Sequence, residues 1–286
     1  MKKSTLLHLR IPFSFFLMPV FLFALAVATE VQPVYAGLAF FILHFLIYPA
    51  SNGYNSYFDK DEGAIGGLRK PPGVSIELYD VSIALDVAGI VFAFLISVEF
   101  ALMVFVYGMV SKAYSHPSVR LKKMPLAGWA AAGIFQGYFT FIMSYIAINE
   151  ISITETLQWP VQIPAILTTM LLFGSYPMTQ VYQHDEDRKR GDITISIRLG
   201  VQGTFHFTAV AFAISMLGFV WYFVEYHGLY IAMIFAGLLS PLLLYFGHWY
   251  LKVRKDQTEA NFDRTMRLNF LSSMLLNVFF VYLWLF

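Results

Sequence analysis

The chain has 286 residues, of which 58% are hydrophobic and only 13% charged, about half the charged share of an ordinary soluble domain. Nineteen Lys and Arg against eighteen Asp and Glu leave a formal charge of +1, so nothing in the bulk charge suggests nucleic acid as a partner. The absence of cysteine excludes disulfides, thiolate nucleophiles and Cys-ligated metals. What remains is a polytopic protein whose solvent is the lipid bilayer.

A helix needs about 20 residues to cross the hydrocarbon core. Apolar runs counted against this length are expected as helices near 11 to 30, 34 to 56, 80 to 97, 98 to 112, 125 to 147, 160 to 182, 204 to 224, 228 to 251 and 268 to 286, the third and fourth being short. Residues 81 to 110 are apolar almost throughout, and Glu99 is the expected turn between the third helix and the fourth. Lys2 and Lys3 ahead of the first run resemble a secretory signal. About 19 apolar residues exceed the usual signal core, however, so the segment is expected to remain as a helix.

Charge tests this division independently, because retained cytoplasmic loops carry Lys and Arg. Lys2, Lys3 and Arg10 stand at the start, and Lys60, Arg69 and Lys70 follow the second helix. Lys112, Arg120, Lys122 and Lys123 follow the fourth; Arg188, Lys189, Arg190 and Arg198 follow the sixth; Lys252, Arg254, Lys255, Arg264 and Arg267 follow the eighth. These are all nineteen bases, and the intervening loops hold Glu30, Glu99, Glu150, Glu155 and Glu225 with no base. The expected fold is therefore all-α: nine transmembrane helices in one bundle, a single domain over residues 1–286, with the N-terminus and the polar loops on the cytoplasmic side.

Two of the polar loops repeat one pattern at an offset of 128 residues. Tyr48, Pro49, Asn52, Tyr54, Asn55, Asp59 and Gly63 match Tyr176, Pro177, Gln180, Tyr182, Gln183, Asp187 and Gly191, five pairs being identical and two Asn/Gln exchanges. Spacings of three and four put Asn52, Asn55 and Asp59 on one helix face, and the same spacing is expected to align Gln180, Gln183 and Asp187. Polar stripes on otherwise apolar helices must face a shared polar cavity rather than lipid.

Carboxylates and amides meeting at the mouth of an apolar bundle suit a hard cation such as Mg²⁺, which takes one or two protein carboxylates together with substrate phosphates. Neighbouring bases would hold the remaining phosphate oxygens. A lipid diphosphate satisfies both halves, head at the metal and tail between helices. Asp59 and Asp187 complete the two stripes and are the central candidates. Asp61, Glu62 and Glu186, at helix ends beside bases, read first as solvated ion pairs. Asp80 reads as an N-terminal cap, Asp86 needs a partner, and His44 reads as an interior histidine.

These residues resemble a known family. Asn55-Ser-Tyr-Phe-Asp59-Lys-Asp61-Glu-Gly63 followed by Arg69-Lys70-Pro71 is similar to the first Asp-rich motif, NDxxDxxxD, of the UbiA superfamily of intramembrane prenyltransferases. Asp185-Glu-Asp187-Arg188 with Gly191, Thr194 and Arg198-Leu-Gly200 is similar to its second. Tyr114-Ser115-x-Pro117-x-x-Arg120-Leu121-Lys122 resembles its loop between helices four and five. In strict register Ser56, Gly63 and Gln183 stand where the family has acidic residues.

The resemblance implies a Mg²⁺-dependent transfer of a polyprenyl group from its diphosphate to a small hydrophobic, aromatic or lipid acceptor. It implies Asn55, Asp59 and Asp187 as metal ligands, with Asp61, Gln183 and Asp185 completing the set. Lys70, Arg120 and Lys122, with Arg188 beside them, would contact the diphosphate. Tyr54, Tyr114 and Tyr182, with Asn52 and Gln180 of the stripes, would line the substrate cavity. The thinned set of carboxylates leaves a second reading, a non-catalytic protein that binds or transports a lipid or small molecule on the same scaffold.

Overall fold

A computed structural model describes residues 1–286, and every long element in it is a helix. In chain order these are α1 (Lys3–Ala26), α2 (Pro33–Asp59), α3 (Ile76–Ala93), α4 (Val98–Ser115), α5 (Pro125–Asn149), α6 (Trp159–Gln180), α7 (Ile195–His227), α8 (Leu229–Lys255) and α9 (Phe262–Leu285). A short helix, His184–Arg190, stands between α6 and α7. Eight of the nine are long and apolar enough to cross a membrane. The exception is α3, whose 18 residues include Glu77, Asp80 and Asp86.

Local sequence explains where these helices depart from regularity. α1 changes course at Arg10, which takes a left-handed conformation (φ 46°) between a helical turn ending at Leu9 and a 3₁₀ stretch over Ile11–Phe16. Pro49 has no N–H for the carbonyl four residues back, and the turn before it, Ile42–Ile47, widens into a π-helix. α5 has a second π turn at Phe135–Phe139, where the Tyr138 N–H donates to Thr169 Oγ1 of α6 at 2.8 Å. α7 kinks at Gly200 (φ 71°).

The break between α3 and α4 falls at residues 94 to 97 rather than at Glu99. Ser97 caps α4 by accepting the Phe100 N–H at 3.0 Å, and Glu99 instead accepts the Ile153 N–H at 2.6 Å. α3 starts after Ser75, so Asp80 lies inside the helix and exposed, not at its cap. Asp86 finds its partner in Lys112 of α4, and the buried His44 ring stacks on Phe40 at 4.3 Å.

The core is aromatic. Phe23 of α1 is fully buried, and its ring lies 4.5 Å from Phe280 of α9 and 5.6 Å from both Phe141 of α5 and Phe219 of α7. One side chain thus joins four helices by dispersion and apolar burial, the kind of packing that holds helices together where lipid is as apolar as leucine. α2 packs on α3, α6 on α7, and α9 on the second half of α1.

Candidate active site

The loop-facing ends of α2, α4 and α6 and the short helix surround a cavity of about 270 Å³. Its wall is the first stripe (Asn52, Asn55, Asp59), the second (Gln180, Gln183, Asp187), Lys122 from the α4–α5 loop, and Tyr107 and Tyr114 of α4. Phe135 and Gln136 of α5 line it as well, with Tyr176 and Tyr182. Tyr114 and Tyr176 join hydroxyl to hydroxyl across it. The two repeated stripes therefore meet over one space.

They do so by different local routes. The first stripe lies on continuous helix as far as Asp59. The second does not: α6 ends at Gln180, a turn intervenes, and a new helix starts at His184, bringing Asp187 back to the cavity while Asp185 points outward. His184 fixes that helix from below, with Nε2 2.7 Å from Ser196 Oγ at the start of α7. Glu186 does not end as a solvated ion pair. Its carboxylate accepts the N–H of Glu62 at 2.7 Å and of Gly63 at 3.0 Å, and Gln183 Nε2 donates to the Ala64 carbonyl at 3.1 Å, so the second motif ties down the loop after the first.

The charges form a closed set. Asp59 pairs with Lys122 and lies 3.7 Å from Arg120, which grips Asp192 with two hydrogen bonds at 2.9 and 3.0 Å. Arg190 contacts Asp187 at 2.6 Å and pairs with Asp61, while its Nε is 3.4 Å from Asp192. Burial first, and then the charges of Asp192, Asp59 and Glu186, push the Asp187 carboxyl up to about 7 against the pull of Lys122. Burial also works on Asp192, but hydrogen bonding from Arg120 and the charges of Lys122, Arg120 and Arg190 outweigh it and hold that carboxyl below its ordinary value.

Several candidates lie elsewhere. Tyr54 turns toward α3: its ring packs against Phe58 and Tyr79 at 4.8 and 5.9 Å, under the Lys112 ammonium at 5.5 Å. Asp185 is 95% accessible and pairs with Arg188 on the surface at 3.6 Å, so neither reaches the cavity. Lys70 is exposed beside Arg69, which pairs with Asp263 of α9. Tyr107, Phe135 and Gln136 were not among the expected lining residues, and three charged residues were not expected at the site. Arg190 and Asp192 belong to its ion network, and Arg10 lines it with hydrogen bonds to the carbonyls of Gly66 at 3.1 Å and Asn52 at 3.3 Å. A base inside an apolar run, Arg10, and the acid directly after Gly191 are the signals by which two of them could have been found.

No three Asp, Glu or His side chains converge into a ready-made chelate. The donors present nevertheless fit a hard cation whose shell is completed by phosphate and water. Asp59, Asp187 and Asn55 face the cavity, and the Gln180 Oε1 beside them is buried without a hydrogen-bond partner.

Solved structures share this architecture. A UbiA homologue from Archaeoglobus fulgidus bound to DMAPP and Mg²⁺ superposes with a TM-score of 0.72 at 17% identity, covering 99% of each chain. One from Aeropyrum pernix K1, in the apo state, gives 0.74 at 18% identity over 96% of this chain and 98% of that one. A digeranylgeranylglyceryl phosphate synthase gives 0.64 at 18% identity over 99% of each. At these identities the likeness establishes a common fold. No curated protein matches at the sequence level. The model of the UbiA prenyltransferase family matches residues 16–273, and the chain, an integral membrane protein, belongs to that family.

Proposed function

We propose that this protein is a Mg²⁺-dependent prenyltransferase that takes a polyprenyl diphosphate and passes the prenyl group to a hydrophobic acceptor. The observation that carries the reading is the convergence of Asp59 and Asp187, from two repeated motifs, on a single cavity that also receives Lys122. Homologues of the same fold bind DMAPP or GPP with Mg²⁺, which supports it.

On this reading Asp59, Asp187, Asn55 and Gln180 supply the oxygen donors and Lys122 the cation that holds phosphate oxygens, while Arg120, outside the lining and bound to Asp192, supports the network behind it. Magnesium, when bound with substrate, would neutralise the diphosphate as a leaving group. The chain's aromatic wall does the rest. Tyr107, Tyr114, Tyr176 and Phe135 line the cavity and offer aromatic rings to positive charge developing on the allylic carbon. All nineteen bases lie in loops, or at the helix ends next to loops, of one parity, so we assign nine crossings and a cytoplasmic mouth to the cavity.

The test uses purified full-length protein in lipid nanodiscs. A non-hydrolysable prenyl thiolodiphosphate should raise the melting temperature only when Mg²⁺ is present, and Asp59→Ala and Asp187→Ala should each cut turnover by orders of magnitude. Wild-type rates in both variants would overturn the assignment. No thermal shift with the diphosphate, alongside stabilisation by another solute, would point to a binding or transport protein instead. Mass spectrometry of lipids from cells lacking the protein would identify the acceptor through the missing product.

A further inference from the structure

The ion network contains a cation that metal binding must contend with. Arg190 lies three residues after Asp187 on the short helix, and its two terminal nitrogens are committed to carboxylates from different halves of the repeat: Asp187 at 2.6 Å, and Asp61. It lines the cavity, its side chain is 19% accessible, and its buried Nε has no hydrogen-bond partner. A guanidinium in this position neutralises the acidic groups that a divalent cation would use, yet it keeps donors to spare for a further acceptor.

We propose that Arg190 is a resident counter-ion that couples metal binding to substrate binding: in the empty protein it occupies Asp61 and Asp187, and an arriving diphosphate draws it away and frees those carboxylates for magnesium. The inference rests on the function proposed above. Its physical basis is a difference in partners. A guanidinium fork matches phosphate oxygens as well as carboxylate oxygens, so transfer to the diphosphate costs Arg190 little, whereas the carboxylates it leaves gain a doubly charged ion. Metal alone must displace Arg190 without offering it a new acceptor, and therefore binds weakly. Because coupling between two ligands is reciprocal, magnesium must tighten the diphosphate by the same factor that the diphosphate tightens magnesium.

Isothermal titration of the full chain in nanodiscs with Mg²⁺, with and without a saturating prenyl thiolodiphosphate, reads this coupling directly. In the wild type the diphosphate should tighten Mg²⁺ by at least about tenfold. Arg190→Gln should tighten Mg²⁺ binding to the substrate-free protein by about tenfold and shrink the coupling by a similar factor, because the competitor is gone and only the direct metal–phosphate contact still couples the two ligands. Arg190→Lys, which keeps the charge but loses the fork, should fall between the two and serves if the Gln variant fails to fold. Lys189→Gln, the same charge change on the exposed side of the same helix, should titrate like the wild type. Unchanged or weaker substrate-free Mg²⁺ binding in both Arg190 variants, with normal diphosphate binding by the wild type, overturns this inference alone. A wild type that binds no thiolodiphosphate at any Mg²⁺ concentration overturns the proposed function and this inference with it.

Discussion

Lys122 and Asp59 form an ion pair at the mouth of the cavity in which only 7% and 6% of the two side chains are accessible. Removing one member of such a pair leaves the other buried and uncompensated, a loss of about 3–5 kcal/mol, whereas replacing both by neutral groups of similar size is often tolerated. Asp59→Asn should therefore lower both stability and turnover. Asp192, 3.7 Å from Lys122, gives the stranded ammonium a second partner and puts the cost at the lower end of that range. The Asp59→Asn/Lys122→Met double variant should regain the melting temperature of the wild type and remain inactive. Recovery of activity together with stability would show that the pair is structural.

Glu186 accepts the N–H groups of Glu62 and Gly63, so the loop after α2 is pinned by the second motif. Hydrogen bonds to a charged acceptor contribute about 1.5–3 kcal/mol when buried, and less at a partly exposed site such as this one. Glu186→Ala should accelerate hydrogen exchange at Glu62 and Gly63 and lower turnover several-fold by loosening the position of Asp61. Glu186→Gln, which keeps one acceptor oxygen, should have the smaller effect. Equal exchange in all three proteins would mean that the loop is held by other contacts.

Much of this arrangement was legible in the sequence, for identifiable reasons. Hydrophobic runs and the placement of bases locate helices well, because crossing a bilayer demands length and low charge whatever the side chains pack against. A three-and-four spacing places Asn52, Asn55 and Asp59 on one face only while the helix continues, which it does in α2. In the second copy the chain turns after Gln180, and Asp185 leaves the cavity although it is two residues from Asp187. Tyr54 was lost for a related reason: it lies two residues from Asn52, about 200° around the helix, and so faces α3. Arg190 was hidden among three consecutive bases, and only the tertiary pairing with Asp61 distinguishes it from Arg188 and Lys189.

Gly137 shows how closely the cavity's outer wall is fitted. A Cβ there would stand 2.7 Å from the Thr169 backbone nitrogen and Cα, atoms of α6 that cannot swing aside. The neighbouring residues Phe135 and Gln136 line the cavity, so separating α5 from α6 would also reshape it. Gly137→Ala should cost about 1–3 kcal/mol from overpacking and lower the melting temperature in detergent. Gly237→Ala, in α8 with open space around its missing Cβ, is the matched control and should melt no lower than the wild type, since Ala in an unhindered helix position is the better helix former.

Asp187 gives the site a pH dependence whose sign can be worked out. Its carboxyl is raised to about 7 in the folded protein from an ordinary value of 3.8. Between these values the metal-free folded protein holds on Asp187 a proton that the unfolded chain has released, with Arg190 donating to a neutral carboxyl and becoming its counter-ion as the group ionises, so the contribution of this group to stability is full below about 3.8 and is lost as pH rises through about 7. Magnesium reverses the preference, because it requires the ionised carboxylate. Mg²⁺ affinity should therefore strengthen as pH rises from about 6 to 8, with release of a proton on binding, and melting curves without metal should show the opposite trend over the same interval. Asp187→Asn should flatten the metal-free trend. If the variant and the wild type lost stability in parallel over that interval, the proton would belong to another group, and Asp187 would be ionised throughout.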